Sequence, residues 1–236
     1  MLAVCMPIVA AGTARADMSL ADAYKVIAGK QMVDLTHSFD STTPVWAGFG
    51  QATLSAASDP KTHDPYTIET AGFRTTFYSM VGQYGTHVDP PAHFAPDGIT
   101  MDKIPLQQMI LPLVVLDDTP FLAADPAHAF SLDDLKAWEK VHGEVPKGAF
   151  AALRTDMYKD WDKDPERFKR APFPAWAFET IKFLYEQRGV TATGHARQDC
   201  GRQLGERGAQ ADRSASCDCR GVPHRQGPGA ESSGAT

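Results

Sequence analysis

Between residues 111 and 195 the chain alternates between two kinds of stretch, and that alternation narrows the possible folds more than any other feature. Leu111–Asp117 (LPLVVLD) is a continuous apolar run that ends in two aspartates, the pattern of a strand covered on both faces. Ser131–Val141 (SLDDLKAWEKV) has helical spacing: Ser131 caps it, Asp134 holds the capping-box position, and Leu132, Leu135 and Trp138 form one stripe. Gly143 stops it. Ala149–Thr155 (AFAALRT) reads as a second buried strand, followed by a charged loop over 156–169. A second helix is predicted over about Ala175–Arg188, with Trp176, Ile181, Leu184 and Tyr185 inward and Gly189 closing it. Val190–Gly194 (VTATG) then opens a third strand and places His195 at its end. Strand, helix, strand, helix, strand, preceded by further strands, predicts an α/β domain with a mixed sheet.

The upstream half is less regular. Ser19–Lys30 predicts a short helix with a Ser cap and Gly29 at its end. Gln31–Ser38 (QMVDLTHS) alternates in the manner of a strand with a buried Val33/Leu35 face, closing on His37, which either lines a pocket or is satisfied in the core. Phe39, Pro44, Trp46 and Phe49 follow without period, as either an apolar substrate wall or a loop pinned by its own aromatics. Gly50–Pro65 is polar and irregular, with His63 exposed, and two β-like pieces in Tyr66–Met80 predict a hairpin. Met101–Met109 is a short amphipathic segment interrupted by Pro105.

The hairpin leads into GQYGTHVDPPAHF, residues 82–94, where Gln83, Thr86, His87, Asp89 and His93 crowd together. An extended Gln83–Asp89 would alternate Gln83, His87 and Asp89 onto one face, and Pro90-Pro91 would then end the strand and stiffen the turn carrying His93. An amide oxygen, an imidazole and a carboxylate suit a divalent ion such as Zn²⁺ or Mn²⁺ with room left for water. His93 is then placed to act as general base, or as acid to a leaving group. Such a site predicts a hydrolase in which metal-activated water attacks an amide, lactam or ester.

Charge and length limit the alternatives. The chain has 236 residues, 43% of them hydrophobic, enough for a sizeable core. A formal charge of -6 argues against nucleic acid or an anionic membrane as main partner, and favours a small-molecule substrate.

Both ends differ from the middle. Residues 1–16 are small and apolar and close on Ala14-Arg15-Ala16, an A-x-A processing site, which predicts a signal peptide and a periplasmic or secreted protein, cytoplasmic if unprocessed. The basic region that normally opens such a signal is missing. A catalytic domain is expected over 17–195. Residues 196–236 contain Leu204 and Val222 as their only large apolar side chains and no lysine, against eleven lysines before them, so this stretch predicts a disordered tail. Its abrupt swap to Arg, Gly, Ala, Ser and Cys is the pattern of an out-of-frame reading. Cys217-Asp218-Cys219 lacks the spacing and second pair of a zinc framework.

The motif GTHVDPPAHF resembles the signature HxGTHxDxPxH of the metal-dependent cyclase/hydrolase family, which includes bacterial kynurenine formamidase and isatin hydrolase. Weaker similarity runs from DLTHSF through MILPLVVLD, SLDDLKAWEKVHG and ALRTD to VTATGH, roughly Gln31–His195. The resemblance implies a swivelling β/β/α fold, a metal on Gln83, His87 and Asp89, a catalytic His93, and a homo-oligomer, dimer or tetramer. It implies cleavage of an amide, formamide or lactam C–N bond in a small, aromatic substrate. Gln83 stands where the formamidases have His, and nothing in 196–236 matches their second-metal His and Glu, so an inactive metal-binding product is the alternative. His195 and the aromatics Trp46 and Phe49 complete the pocket candidates, with His37.

Overall fold

A computed structural model describes residues 18–195 except Ala47 and residues 170–172; the expected signal segment and tail lie outside the described residues. The chain divides into two compact units at Thr36/His37.

The first unit carries α1 (Leu20–Ala28), where the Ser19 hydroxyl accepts the Asp22 N–H and Gly29 ends the helix, as its sequence predicts. The strand expected over 31–38 does not form. Thr36 N–H donates to Asp34 Oδ1 at 2.8 Å, a local turn that competes with ladder bonding. Val33 and Leu35, expected inward, are 67% and 74% exposed.

Among the described residues of the second unit the strands fall into three sheets. β1 (Thr53–Ala56) and β2 (Thr76–Ser79) pair antiparallel, Leu54 opposite Tyr78. The hairpin expected within Tyr66–Met80 is therefore replaced by a longer one that recruits residues read as irregular. Its first half is a helical turn, α2 (Ile68–Ala71). There Thr67 and Thr70 form a reciprocal capping box, and Gly72 leaves in the left-handed region at φ 73°.

The main sheet is parallel, in the order β3–β5–β7, from β3 (Leu113–Asp117), β5 (Phe150–Arg154) and β7 (Ala192–His195). A two-stranded parallel sheet, β4 (Ala129–Phe130) with β6 (Ala175–Trp176), flanks the helices. Between β3 and β5 run the short α3 (Thr119–Leu122) and α4 (Leu132–His142), with the Ser131/Asp134 capping box formed as read. Between β5 and β7 lies α5 (Phe178–Phe183), which widens into a π-helical turn over Leu184–Arg188 before Gly189 turns left-handed at φ 62°. The single helix expected from Ala175 thus begins three residues later, because Ala175 and Trp176 pair as β6.

One face of the main sheet packs on α4 and α5. Leu116, Leu135, Ala149, Ala151 and Leu184 are wholly buried there, with Phe130, Leu153 and Trp176 close to it. The opposite face is open: Leu113 and Val115 are 53% and 44% exposed, where a parallel strand covered on both sides was expected. An ion-pair staple holds the helical layer. Glu139 on α4 receives Arg188 Nε at 2.7 Å and Nη2 at 3.0 Å, and also the Val145 N–H at 3.2 Å. Both parallel and antiparallel pairing are present, which is the expected mixed α/β class.

Candidate metal centre

The stretch from Gln83 to Asp89 is a turn and bend instead of a strand, and this changes how its donors meet. Gly85 takes φ 71°, a backbone open to glycine at little cost, and so folds His87 back over its own turn. His87 Nδ1 lies 2.8 Å from the Gly85 carbonyl, which fixes the ring and leaves Nε2 pointing away. Tyr84 anchors the turn from below. It is 5% exposed in a small core with Val45 and Ala52, and its hydroxyl donates to the Asp40 carbonyl at 2.7 Å.

Pro90 and Pro91 have no strand to end, but the turn they were expected to stiffen is there: Pro91–His93 is a 3-10 turn with Pro at its start. Gly98 closes that turn, since a Cβ there would lie 2.4 Å from the Pro91 carbonyl carbon, and the Ala92 N–H reaches Ile99 O at 3.1 Å. The consequence is a rigid delivery of His93 next to Asp89.

Asp89 is the centre of the arrangement. His87 Nε2 stands 3.5 Å and His93 Nε2 4.0 Å from Asp89 Oδ1. Both distances exceed a hydrogen bond, and Oδ1 is buried with no hydrogen-bond partner among the described residues. Burial raises the Asp89 pKa, but the nearby His87 imidazole, the charge of His93 and the Gln83 amide outweigh it and hold the carboxylate below its usual range. The Asp89 interaction correspondingly pushes His87 up, against its burial. Gln83 completes the ring, its amide nitrogen 3.3 Å from His93 Nδ1.

An orphaned carboxylate oxygen facing an imidazole nitrogen is a donor set that a divalent ion would satisfy. Two donors each about 2.0–2.1 Å from one tetrahedral ion lie about 3.3 Å apart, close to the 3.5 Å found here. Among the described residues no group of three or more His, Cys, Asp and Glu is gathered for a metal; Gln83 adds an amide beside His87 and Asp89. As placed, Gln83 turns its nitrogen toward His93 and the Asp89 carboxylate; an ion would draw the oxygen instead, by a half-turn of the amide.

The remaining candidates separate. His37 joins the loop: its backbone N–H donates to Thr86 Oγ1 at 3.2 Å. Its ring stacks on Trp161 with centroids 4.1 Å apart and planes at 10°. Trp161, which in turn meets buried Phe168 edge to face, carries no sequence signal, since it sits in a charged loop without periodicity. Trp46 and Phe49 meet each other at 5.0 Å, edge to face, with Phe49 packed on the Val45/Tyr84 core; this is the loop pinned by its own aromatics. His195 ends β7 opposite Leu153, at the carboxyl edge of the main sheet.

Residues 33–199 match the family model Cyclase, described as "Putative cyclase". The chain belongs to the Cyclase family. One curated relative of this cyclase, an isatin hydrolase of Roseibium aggregatum, is 38% identical over 92 residues, 36% of this chain and 33% of the relative. That match therefore spans about a third of the relative's length. Isatin hydrolase A from Ralstonia solanacearum superposes with a TM-score of 0.63 at 27% identity, covering 76% of this chain and 72% of that one. An isatin hydrolase bound to the product analogue thioisatinate gives 0.64 at 25% identity, covering 75% and 73%. The cyclase fold and the mixed α/β class follow from these matches.

Proposed function

We propose that this cyclase is a metal-dependent hydrolase acting on an amide, formamide or lactam C–N bond of a small aromatic substrate. What carries the reading is the buried, unpartnered Asp89 Oδ1 with His87 Nε2 and His93 Nε2 within 4.0 Å of it. The relatives named isatin hydrolase supply the substrate class.

Gln83, His87 and Asp89 would hold the ion, Mn²⁺ or Zn²⁺, which when bound supplies a Lewis acid that polarises a carbonyl and acidifies water. The Gly85 carbonyl fixes the His87 tautomer and ring plane. His93 moves the proton: its side chain is 30% exposed, the most accessible of the two histidines and Asp89, and its Nε2 faces the same carboxylate oxygen. It can take a proton from attacking water and return it to the departing nitrogen. His37 on Trp161 forms a flat aromatic wall beside Thr86, suited to a planar ring.

A homo-oligomer, dimer or tetramer, fits the open apolar face of β3, because parallel strands are normally covered on both sides. Elemental analysis of the purified chain with turnover of isatin and N-formylkynurenine tests the assignment. About one ion per chain with hydrolysis of either compound supports it. An ion without turnover favours the inactive alternative, and absence of any bound divalent ion overturns the metal reading.

A further inference from the structure

Away from the catalytic loop, a second cluster of ionisable groups lies at the carboxyl end of β3. Asp118, the first residue after the strand, is fully buried, and its N–H donates to Arg154 O on β5 at 3.0 Å. Ten residues later His128 returns to it: Nδ1 lies 2.6 Å from Asp118 Oδ1, and the ring stacks on Phe121 at 4.6 Å. On its other side His128 Nε2 faces Asp134 Oδ2 at 3.4 Å. That oxygen also accepts the Ser131 N–H at 2.8 Å and the Ser131 hydroxyl at 2.5 Å, which fixes Asp134 at the start of α4. Asp118 Oδ2 is buried with no hydrogen-bond partner among the described residues.

A neutral imidazole has one N–H and one lone pair. If both carboxylates were ionised and His128 neutral, its lone pair would face an anion at 2.6 Å or at 3.4 Å. One additional proton removes the conflict, either by making His128 a double donor or by protonating Asp118, which then donates to Nδ1 while Nε2–H faces Asp134. Burial is the largest influence on Asp118 and raises its pKa, more than His128 lowers it. Among the described residues the other charges around the cluster do not supply a counter-cation. Asp117 on β3 adds negative potential to Asp118, and Arg154 on β5 is committed to Asp117 and Asp156. β6, alanine and tryptophan, offers only the Ala175 N–H, which bonds the His128 carbonyl at 3.1 Å.

We propose that Asp118, His128 and Asp134 share one proton at neutral pH, and that this proton latches the 119–128 segment across the carboxyl end of β3. The segment, which contains α3, is tied at both ends by this cluster: to the strand through Asp118 and to α4 through Asp134. Losing the proton leaves the imidazole lone pair facing either the buried Asp118 or the part-buried Asp134 carboxylate, so the latch opens as pH rises. With one proton lost per opening, the open fraction rises tenfold per pH unit across the transition.

Limited chymotrypsin cleavage at Phe121 or Leu122 of the full chain, measured from pH 6 to 9 and corrected for protease activity on an unfolded control, reads the latch directly. The expected result is a cleavage rate that climbs about tenfold per pH unit in part of this range. Asp118→Asn, which keeps a neutral donor against Nδ1, should fold and flatten that profile. In parallel, nitrogen NMR of the His128 ring at pH 7 should show either both nitrogens protonated or the Nε2–H tautomer beside a protonated Asp118. An Nδ1–H neutral tautomer with ionised Asp118 overturns the proposal, as does a profile that Asp118→Asn leaves just as steep.

Discussion

Replacing Glu139 by Gln tests whether the staple between α4 and the π turn holds the edge of the sheet that ends on His195. Glu139 is 9% exposed and accepts four contacts: Arg188 through Nε and Nη2, Val145 N–H, and Lys136 Nζ at 3.3 Å. Removing one partner of a buried ion pair costs about 3–5 kcal/mol, because the other charge stays buried. Here the loss is smaller for two structural reasons. Gln keeps an acceptor oxygen for Val145 or Arg188, and Arg188 retains Glu144 Oε1 at 2.9 Å. Roughly 2–3 kcal/mol is therefore expected for Glu139→Gln, and the upper end of the buried-pair range for Glu139→Ala. Urea denaturation at pH 7 measures it as a lower midpoint at unchanged slope. Glu144→Gln, at an exposed position, should be close to neutral. A Glu139→Gln loss under about 0.5 kcal/mol would place this pair with ordinary surface bridges and refute the argument.

Other outcomes follow from the same structure. Burial raises the Glu139 pKa, but Arg188, Val145 and Lys136 overcome it and depress the folded value. The sign is that of a depressed carboxylate: its stability is present above the unfolded pKa of about 4.3 and is lost as pH falls below it. Acid titration of stability should show this loss in the wild type and not in Glu139→Gln. His93→Ala should retain bound ion and lose about 10²–10⁴ in turnover, the usual worth of a general acid–base group; full activity in that variant would remove His93 from proton transfer. His87→Ala should lose the ion itself in elemental analysis, since the imidazole nitrogen 3.5 Å from Asp89 Oδ1 disappears. Trp161→Ala should raise KM for an aromatic substrate more than it lowers kcat, because it frees the His37 ring without touching the donors, and an unchanged KM would count against the wall.

Residues 111–195 were legible because the sequence signals there are long and mutually consistent. The Ser131/Asp134 capping box, the Leu132/Leu135 stripe and the apolar runs ending in Asp117 and Arg154 all agree with the final pairing. Upstream, short alternating windows misled. Gln31–Ser38 has strand periodicity, but a strand needs a partner, and Asp34 satisfies the Thr36 N–H locally instead. Thr67-Ile68-Glu69-Thr70 is β-branched at all but Glu69, yet the two threonines cap a helical turn, and β2 pairs with residues 53–56 that carried no strand signal of their own.

At the candidate site the sequence determined which chemistry was possible, and the tertiary structure decided how it is arranged. Gln83, His87, Asp89 and His93 are close along the chain, so their types alone raise the expectation of a metal and a proton carrier. Their convergence owes nothing to strand alternation. It comes from Gly85 in a left-handed turn, from Tyr84 buried beneath it, and from the Pro91–His93 turn closed by Gly98. Trp161 against His37, and Asp118 with His128, depend on contacts between separate segments of the chain. Composition and spacing report local preference, whereas these pairs form only when the sheet and its helices bring distant backbone together.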